Sequence, residues 1–96
     1  MPAHVYMLLC ADGSYYVGST RNITARVAQH EAGLGGTHTS GRLPVTLVFS
    51  QECESVAHAW GLERKLHGWS HAKRKALAEG RFDDLPGLSR NRRNRE

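Results

Sequence analysis

Apolar and polar positions alternate through the first twenty residues, with a polar break at residues 11–13. The runs 4–10 and 14–19 are apolar or aromatic, and Asp12-Gly13 between them indicates a β-hairpin turn. A two-residue loop would place Tyr6 and Tyr16 on opposite faces of the sheet. A three-residue loop, with Gly13 at positive φ in a bulge, places them on one face. The bulged register is predicted because it also gathers a better core face: Val5, Met7, Leu9, Tyr15 and Val17.

A helix is predicted over residues 23–32, with Asn22 as its N-cap and Gly33 as its stop. Arg26 and His30 lie four residues apart and therefore project together along one edge of the helix. From periodicity alone the plainer interpretation is favoured, in which the tyrosines are ordinary strand aromatics and this edge is simply solvated.

The rest of the pattern predicts a mixed α/β fold of the α+β type. In it, helices flank a three-stranded antiparallel sheet. The third strand is expected at residues 45–51, opened by Pro44, with Val45, Leu47 and Phe49 on one side and Val48 on the other. Further helices are expected near 55–67 and 70–79. The Gly- and hydroxyl-rich residues 33–41 are expected to be a loop, which could line a phosphate track or, as is slightly favoured, serve as a flexible connection.

Glu63 interrupts an apolar helical face. At 100° per residue it falls in the middle of a stripe formed by Val56, Ala59, Trp60, Leu62 and Leu66. A carboxylate on a core-facing stripe is costly unless it is paired or binds a cation. A metal ligand and a structural salt bridge to Arg26 both remain open.

Length and charge distribution indicate one domain followed by a basic tail. The 96 residues suit one domain, expected at 1–89. Of the formal net charge of +4, the last seven residues contribute three charges, because 90–96 hold four arginines and one glutamate. This basic tail is expected to be disordered, and either phosphate binding or solubility explains it.

Other composition features exclude several classes of protein. Two cysteines, Cys10 and Cys53, form neither a disulfide framework nor a metal cluster, which favours a reducing, cytoplasmic location. No apolar run approaches the length of a membrane span. His67 and His71 have the spacing of a zinc pair, but Gly68 lies between them and a third ligand is not evident, so zinc is not expected.

Several motifs together resemble the signature of the GIY-YIG nuclease superfamily. Val5-Tyr6 is followed by Tyr16-Val17-Gly18 and then by Arg26-x-x-x-His30. The similarity continues through the glycines of 33–36, Thr39, the 43–45 stretch and Glu63, to about Leu77. The chain most resembles the small single-domain bacterial group of predicted endonucleases (UPF0213-like). It departs in having His4 in place of the initial glycine, and His67 and His71 where relatives tend to carry Lys and Arg.

The resemblance implies a metal-dependent endonuclease acting on DNA, with catalytic residues Tyr6, Tyr16, Arg26, His30 and Glu63. Glu63 would hold Mg²⁺ (or Mn²⁺), Arg26 would bind the scissile phosphate, and His30 would accept or relay a proton from a tyrosine. Which tyrosine is the base stays open. A non-cleaving nucleic-acid-binding module and a structural domain are the competing hypotheses.

Nucleic-acid contacts are expected at Gly18, Arg21, Thr39, Arg42, Lys73 and Arg74. For the basic residues of the last helix, a solvated charged face is the commoner explanation. A monomer is expected.

Overall fold

The structure, a computed structural model, describes residues 2–81. Its centre is strand β1 (Ala3–Leu9), which pairs antiparallel with β2 (Tyr15–Thr20) and with β3 (Thr46–Cys53) in the order β2-β1-β3. The predicted three-stranded antiparallel sheet is therefore confirmed. The expected domain boundary at 89 and the basic tail 90–96 lie outside the described residues.

The hairpin adopts the bulged register predicted from its turn. Gly13 has φ +86°, and its N–H donates to the Cys10 carbonyl at 3.0 Å. Tyr6 is paired with Gly18 and Leu8 with Tyr16, so both phenols lie on one face of the sheet. The three-residue loop is thus the physical reason why the two tyrosines are neighbours.

Each face of the sheet has its own apolar cluster. On one face Val5, Met7 and Val17 pack against Ala59 and Leu66 of helix α3 (Val56–His67). On the other face Tyr6 and Leu8 pack with Ile23 and Val27 of helix α1 (Ile23–Glu31). Asn22 caps α1 as predicted, by accepting a hydrogen bond from the Ala25 N–H at 3.1 Å.

Two local predictions were wrong. Thr37–Ser40 forms one helical turn, α2, inside the segment expected to be a loop. Strand β3 runs to Cys53 rather than 51, and its alternation is broken by a register shift opposite Met7 and Leu8. Because of this shift Phe49 pairs with Met7 on the α3 face, while Leu47 pairs with Leu8 on the α1 face.

Helices α3 and α4 (His71–Ala78) confirm the predicted helices near 55–67 and 70–79. Ser55 and Ser70 cap them by accepting from the N–H groups of His58 and Lys73. Gly80, with φ +75°, follows the end of α4. Within residues 2–81, no helix is both long and apolar enough to span a membrane.

Two glycine substitutions should shift stability in opposite directions. At Gly13 a Cβ has open space but a strained positive φ, so Gly13→Ala should lower the free energy of unfolding by about 1 kcal/mol or more. Gly61 lies in the interior of α3, also in open space, so Gly61→Ala should raise it by roughly 0.5–1 kcal/mol. Denaturant unfolding followed by circular dichroism measures both, and a stabilising Gly13→Ala would contradict the bulged turn.

Candidate active site

A buried hydrogen-bond chain joins β1, α1 and α2. The Tyr6 hydroxyl lies 2.9 Å from His30 Nε2, and the Thr39 hydroxyl lies 2.8 Å from His30 Nδ1. All three side chains have no exposed surface. Since a buried polar group without a partner is costly, the chain holds the end of α1 and the α2 turn against the sheet.

Two glycines make room for this chain. A Cβ on Gly18 would lie 2.6 Å from the Tyr6 hydroxyl, and a Cβ on Gly35 would overlap the His30 ring. Gly18 therefore packs against Tyr6 and is itself buried, rather than offering an open contact for nucleic acid. Gly35 was not recognised from the sequence, although its place in a glycine cluster was the available signal.

Burial sets the protonation of the Tyr6–His30 pair. The pKa of Tyr6 is raised from 10.0 to about 12, chiefly by burial and secondly by the nearby Tyr16 phenol. The Arg26 guanidinium opposes this through its charge and a hydrogen bond, while Glu63 adds to the rise. Burial, and then the charge of Arg26, lower the pKa of His30 below 6.5. Both groups are consequently neutral at neutral pH, with His30 able to accept a proton.

Tyr16 is the more exposed phenol of the pair. Its ring centroid lies 6.4 Å from that of Tyr6 and 5.1 Å from that of His30. On another side it contacts His38, at 5.6 Å between centroids. His38 Nε2 lies 3.3 Å from the Ser14 hydroxyl, so the α2 turn is fastened to the hairpin beside Tyr16. His38 was not singled out in the sequence.

Glu63 approaches the site from the α3 face. Its Oε1 accepts a hydrogen bond from the Ser19 hydroxyl at 2.7 Å, and Oε2 lies 3.4 Å from His67 Nε2. The side chain is 23% exposed, because Val56 and Trp60 on the predicted apolar stripe are exposed rather than buried. Within residues 2–81 no ion pair joins Glu63 to Arg26, so the alternative of a structural salt bridge is not found.

The structure thus brings Tyr6, Tyr16, Arg26 and His30 into one cluster on the α1 face. Glu63 lies at the edge of the opposite face, held by Ser19 of β2, and acts on Tyr6 electrostatically. Tyr6 and His30 have no exposed surface, so the five candidate catalytic residues do not all line an open cleft. Ser19 was missed because its partner is 44 residues away.

Several expected nucleic-acid contacts have partners within the protein. Thr39 is buried against His30. Arg42 donates to the Asp12 carboxylate at 2.9 Å and to the His38 carbonyl at 2.7 Å. Arg74 donates to the Leu66 and His67 carbonyls at 3.1 and 2.8 Å, and thereby caps α3.

The other two expected nucleic-acid contacts, Lys73 and Arg21, have different surroundings. Lys73 lies over the Trp69 ring, 4.1 Å from its centroid. Arg21 is exposed and lines a groove of about 280 Å³ beside Ser19. His67 and His71 have separate partners, Glu63 and the Gly13 carbonyl, so they do not form a zinc pair. No group of three potential metal ligands occurs in the part of the chain that the structure describes.

Comparison with known proteins assigns the family. The model of the GIY-YIG catalytic domain matches residues 2–76. The chain belongs to the GIY-YIG family. A UPF0213 protein of Halobacterium salinarum is 42% identical over 74 residues, which cover 77% of this chain and 96% of that protein. One from Staphylococcus haemolyticus is 36% identical over 78 residues, 81% of this chain and 95% of its own length.

Two solved structures are similar to this chain. The solution NMR structure of a UPF0213 protein from Bacillus halodurans is 33% identical, with a TM-score of 0.54, and the match covers 93% of this chain and 98% of that one. A protein from E. faecalis shares the fold at 23% identity, with a TM-score of 0.56 over 98% of this chain and 95% of its own. The resemblance inferred from the motifs is confirmed, and the GIY-YIG domain is that of a nuclease family.

The lowered pKa of His30 predicts a pH dependence of stability. Above pH 6.5 this histidine is neutral in both the folded and the unfolded chain, so its contribution is fully present. As the pH falls below 6.5, the unfolded chain takes up a proton that the folded site resists, and the free energy of unfolding falls. His30→Gln should flatten this decline, whereas His58→Gln, which removes an exposed histidine, should not. Equal pH slopes for all three proteins in urea unfolding would contradict the assignment.

Proposed function

We propose that this protein is a metal-dependent endonuclease that hydrolyses phosphodiester bonds in DNA. The observation that carries the proposal is the buried hydrogen bond between Tyr6 and His30, with Arg26 influencing the pKa of both. Hydrolysis requires an activated water, neutralisation of the developing phosphate charge and help for the leaving group. The Tyr6–His30 pair suits activation of the water, and Arg26 suits neutralisation of the phosphate charge.

His30 is the proton acceptor in this proposal. Its lowered pKa keeps the imidazole neutral, and the Thr39 hydroxyl at Nδ1 fixes the orientation of the ring. With Nδ1–H donating to Thr39, Nε2 can accept the Tyr6 proton at 2.9 Å. Tyr6 is therefore the phenol equipped to become a base, and the more exposed Tyr16 is the phenol that positions the attacking water.

Arg26 supplies positive charge at this cluster. Its charge and hydrogen bond lower the pKa of Tyr6 against the effect of burial, which makes the phenolate easier to form. A guanidinium also binds a phosphate through paired hydrogen bonds and stabilises the charge that develops during attack. Arg26 would thus assist both the base and the scissile phosphate.

Glu63 is the group for a divalent cation, Mg²⁺ or Mn²⁺. One carboxylate oxygen is held by Ser19 while the other has only a long contact to His67, so the side chain is oriented and partly accessible. Mg²⁺ suits such a place, since it is commonly bound by one or two carboxylates together with waters and substrate phosphate. A bound cation would supply Lewis-acid stabilisation of the phosphate and of the leaving oxygen.

A second candidate is a nucleic-acid-binding module that does not cleave. It is favoured by the lack of exposed surface on Tyr6 and by its pKa of about 12, both of which oppose ionisation in the free protein. The two candidates differ in one observable, because only the endonuclease shows metal-dependent strand cleavage.

Replacing Glu63 tests the metal role. Glu63→Gln preserves shape but removes the charge, so Mg²⁺-dependent cleavage of a labelled DNA should be abolished while metal-free binding is retained. Glu54→Gln, at an exposed carboxylate just before α3, is the matched control and should cleave like the parent. Arg26→Ala should lose cleavage together with some affinity, because the guanidinium contacts substrate.

The same assay separates the two candidate functions. Cleavage by Glu63→Gln at the parental rate under saturating Mg²⁺ would refute the metal assignment. A parent that shifts DNA in a gel without metal but cleaves no single-stranded, duplex or branched substrate would establish the binding module instead.

Single-atom changes at the phenols test the proton route. Tyr6→Phe removes only the hydroxyl bonded to His30, so single-turnover cleavage should slow by about 10²–10⁴-fold, as expected for loss of a general base. Cleavage by the parent should decline at acidic pH as His30 becomes protonated, and His30→Gln should be slow at every pH. Normal cleavage by Tyr6→Phe together with an inactive Tyr16→Phe would transfer the base role to Tyr16.

A further inference from the structure

A large aromatic side chain lies exposed next to the proposed metal position. Trp60 is 54% exposed and lies one turn before Glu63 on α3, while Val56, one turn earlier still, is 42% exposed. Residues three or four apart on a helix are neighbours, so Val56, Trp60 and Glu63 share one side of α3. The other tryptophan, Trp69, instead packs against the core. Val56 and Trp60 thus form an exposed apolar pair, and contiguous exposed apolar surface is typical of interaction sites.

Two arginines lie along this side of α3. The Arg64 guanidinium lies over the Trp60 ring, 4.9 Å from its centroid. Beside Val56 is the groove of about 280 Å³ lined by Arg21, Thr20 and Ser19. Ser19 is the residue that holds Glu63. The exposed apolar surface, two arginines and the proposed metal ligand thus form one continuous region.

We infer that Trp60 stacks on a nucleobase of the substrate strand beside the scissile phosphate, with Arg64 supporting the ring and Arg21 contacting the backbone. This inference rests on the proposed function. A base offers a flat π-face to the indole, and its flanking phosphates complement the two guanidinium groups. Apolar protein surfaces or membranes would match the indole but not this pairing of an aromatic ring with cations at a phosphate-processing site.

The stacked base cannot remain fully stacked within a regular duplex while it lies on Trp60. The site therefore takes a strand in which at least one base beside the cleaved bond is unstacked from its neighbours. Stacking on an aromatic ring reads no hydrogen-bonding edge, so Trp60 would fix the position of the strand without selecting its sequence.

Tryptophan fluorescence tests the contact without any need for cleavage. The chain has two tryptophans, so Trp69→Phe leaves Trp60 as the only one. In EDTA, an oligodeoxythymidylate should quench and shift this emission, and a strand of equal length made of abasic sugar-phosphates should quench it much less. Fluorescence anisotropy of labelled strands measures binding in parallel. Equal quenching by both strands, or binding of the thymidylate without quenching, overturns the inference.

Substitutions provide the second arm. Trp60→Ala should weaken thymidylate binding by roughly five- to hundred-fold, the range expected for one base–aromatic stack, with little effect on the abasic strand. Arg64→Ala should also weaken it, whereas Lys65→Ala should not, although Lys65 is also an exposed positive charge on α3. Lys65 lines a different groove, with Phe49 and Trp69. Equal losses of thymidylate affinity for Arg64→Ala and Lys65→Ala would mean that Arg64 contributes only general positive charge and does not support the Trp60 ring.

These outcomes separate the inference from the proposed nuclease activity. Quenching of Trp60 by a bound strand, with no cleavage of any single-stranded, duplex or branched substrate, would sustain the stacking site and reject the endonuclease. Cleavage that is unchanged in rate and affinity by Trp60→Ala would sustain the endonuclease and reject the stacking site. A parent that binds no strand rejects both.

Discussion

The site depends on a buried chain of three neutral polar side chains, Tyr6, His30 and Thr39. Each comes from a different element, so the chain can form only when β1, α1 and α2 are all in place. Its members have no exposed surface, and loss of any one would leave a partner unsatisfied in a low-dielectric interior. The α2 turn is only four residues long, and its buried threonine connects it to His30 of α1.

Burial has opposite effects on the two titratable members, and this has a consequence for any chemistry they perform. It raises the pKa of Tyr6 and lowers that of His30. In the stable resting state, Tyr6 therefore keeps its phenolic proton and the imidazole of His30 is neutral. Moving the proton creates a phenolate and an imidazolium in place of two neutral groups. Arg26 favours the phenolate but opposes the imidazolium, because its charge lowers the pKa of both groups. In the proposed mechanism, a bound cation would stabilise the phenolate further.

Local signals predicted most of the fold because the relevant interactions are close in sequence. The three-residue loop with Gly13 at its end predicted the hairpin register, and serine and asparagine caps marked the helix starts. The shift in β3 and the α2 turn were not predictable in this way, since they depend on packing against β1 and His30. The same limit applied to the site: the family resemblance indicated the phenols, whereas Ser19 acquires its role from Glu63, 44 residues away.

The distribution of positive charge is also decided by tertiary structure. Arg42 and Arg74 were expected from the sequence to contact nucleic acid. Each donates two hydrogen bonds within the protein, Arg42 to Asp12 and a backbone carbonyl and Arg74 to two backbone carbonyls. Residues 1–89 carry only one of the four net positive charges, so general attraction to a polyanion is weak there. The proposed substrate would therefore depend on a few specific contacts near Glu63, where Arg21 and Arg64 are exposed. With so little charge available, an uncharged stacking contact such as the one proposed for Trp60 would contribute a larger share of the binding free energy. Its contribution is not screened by salt.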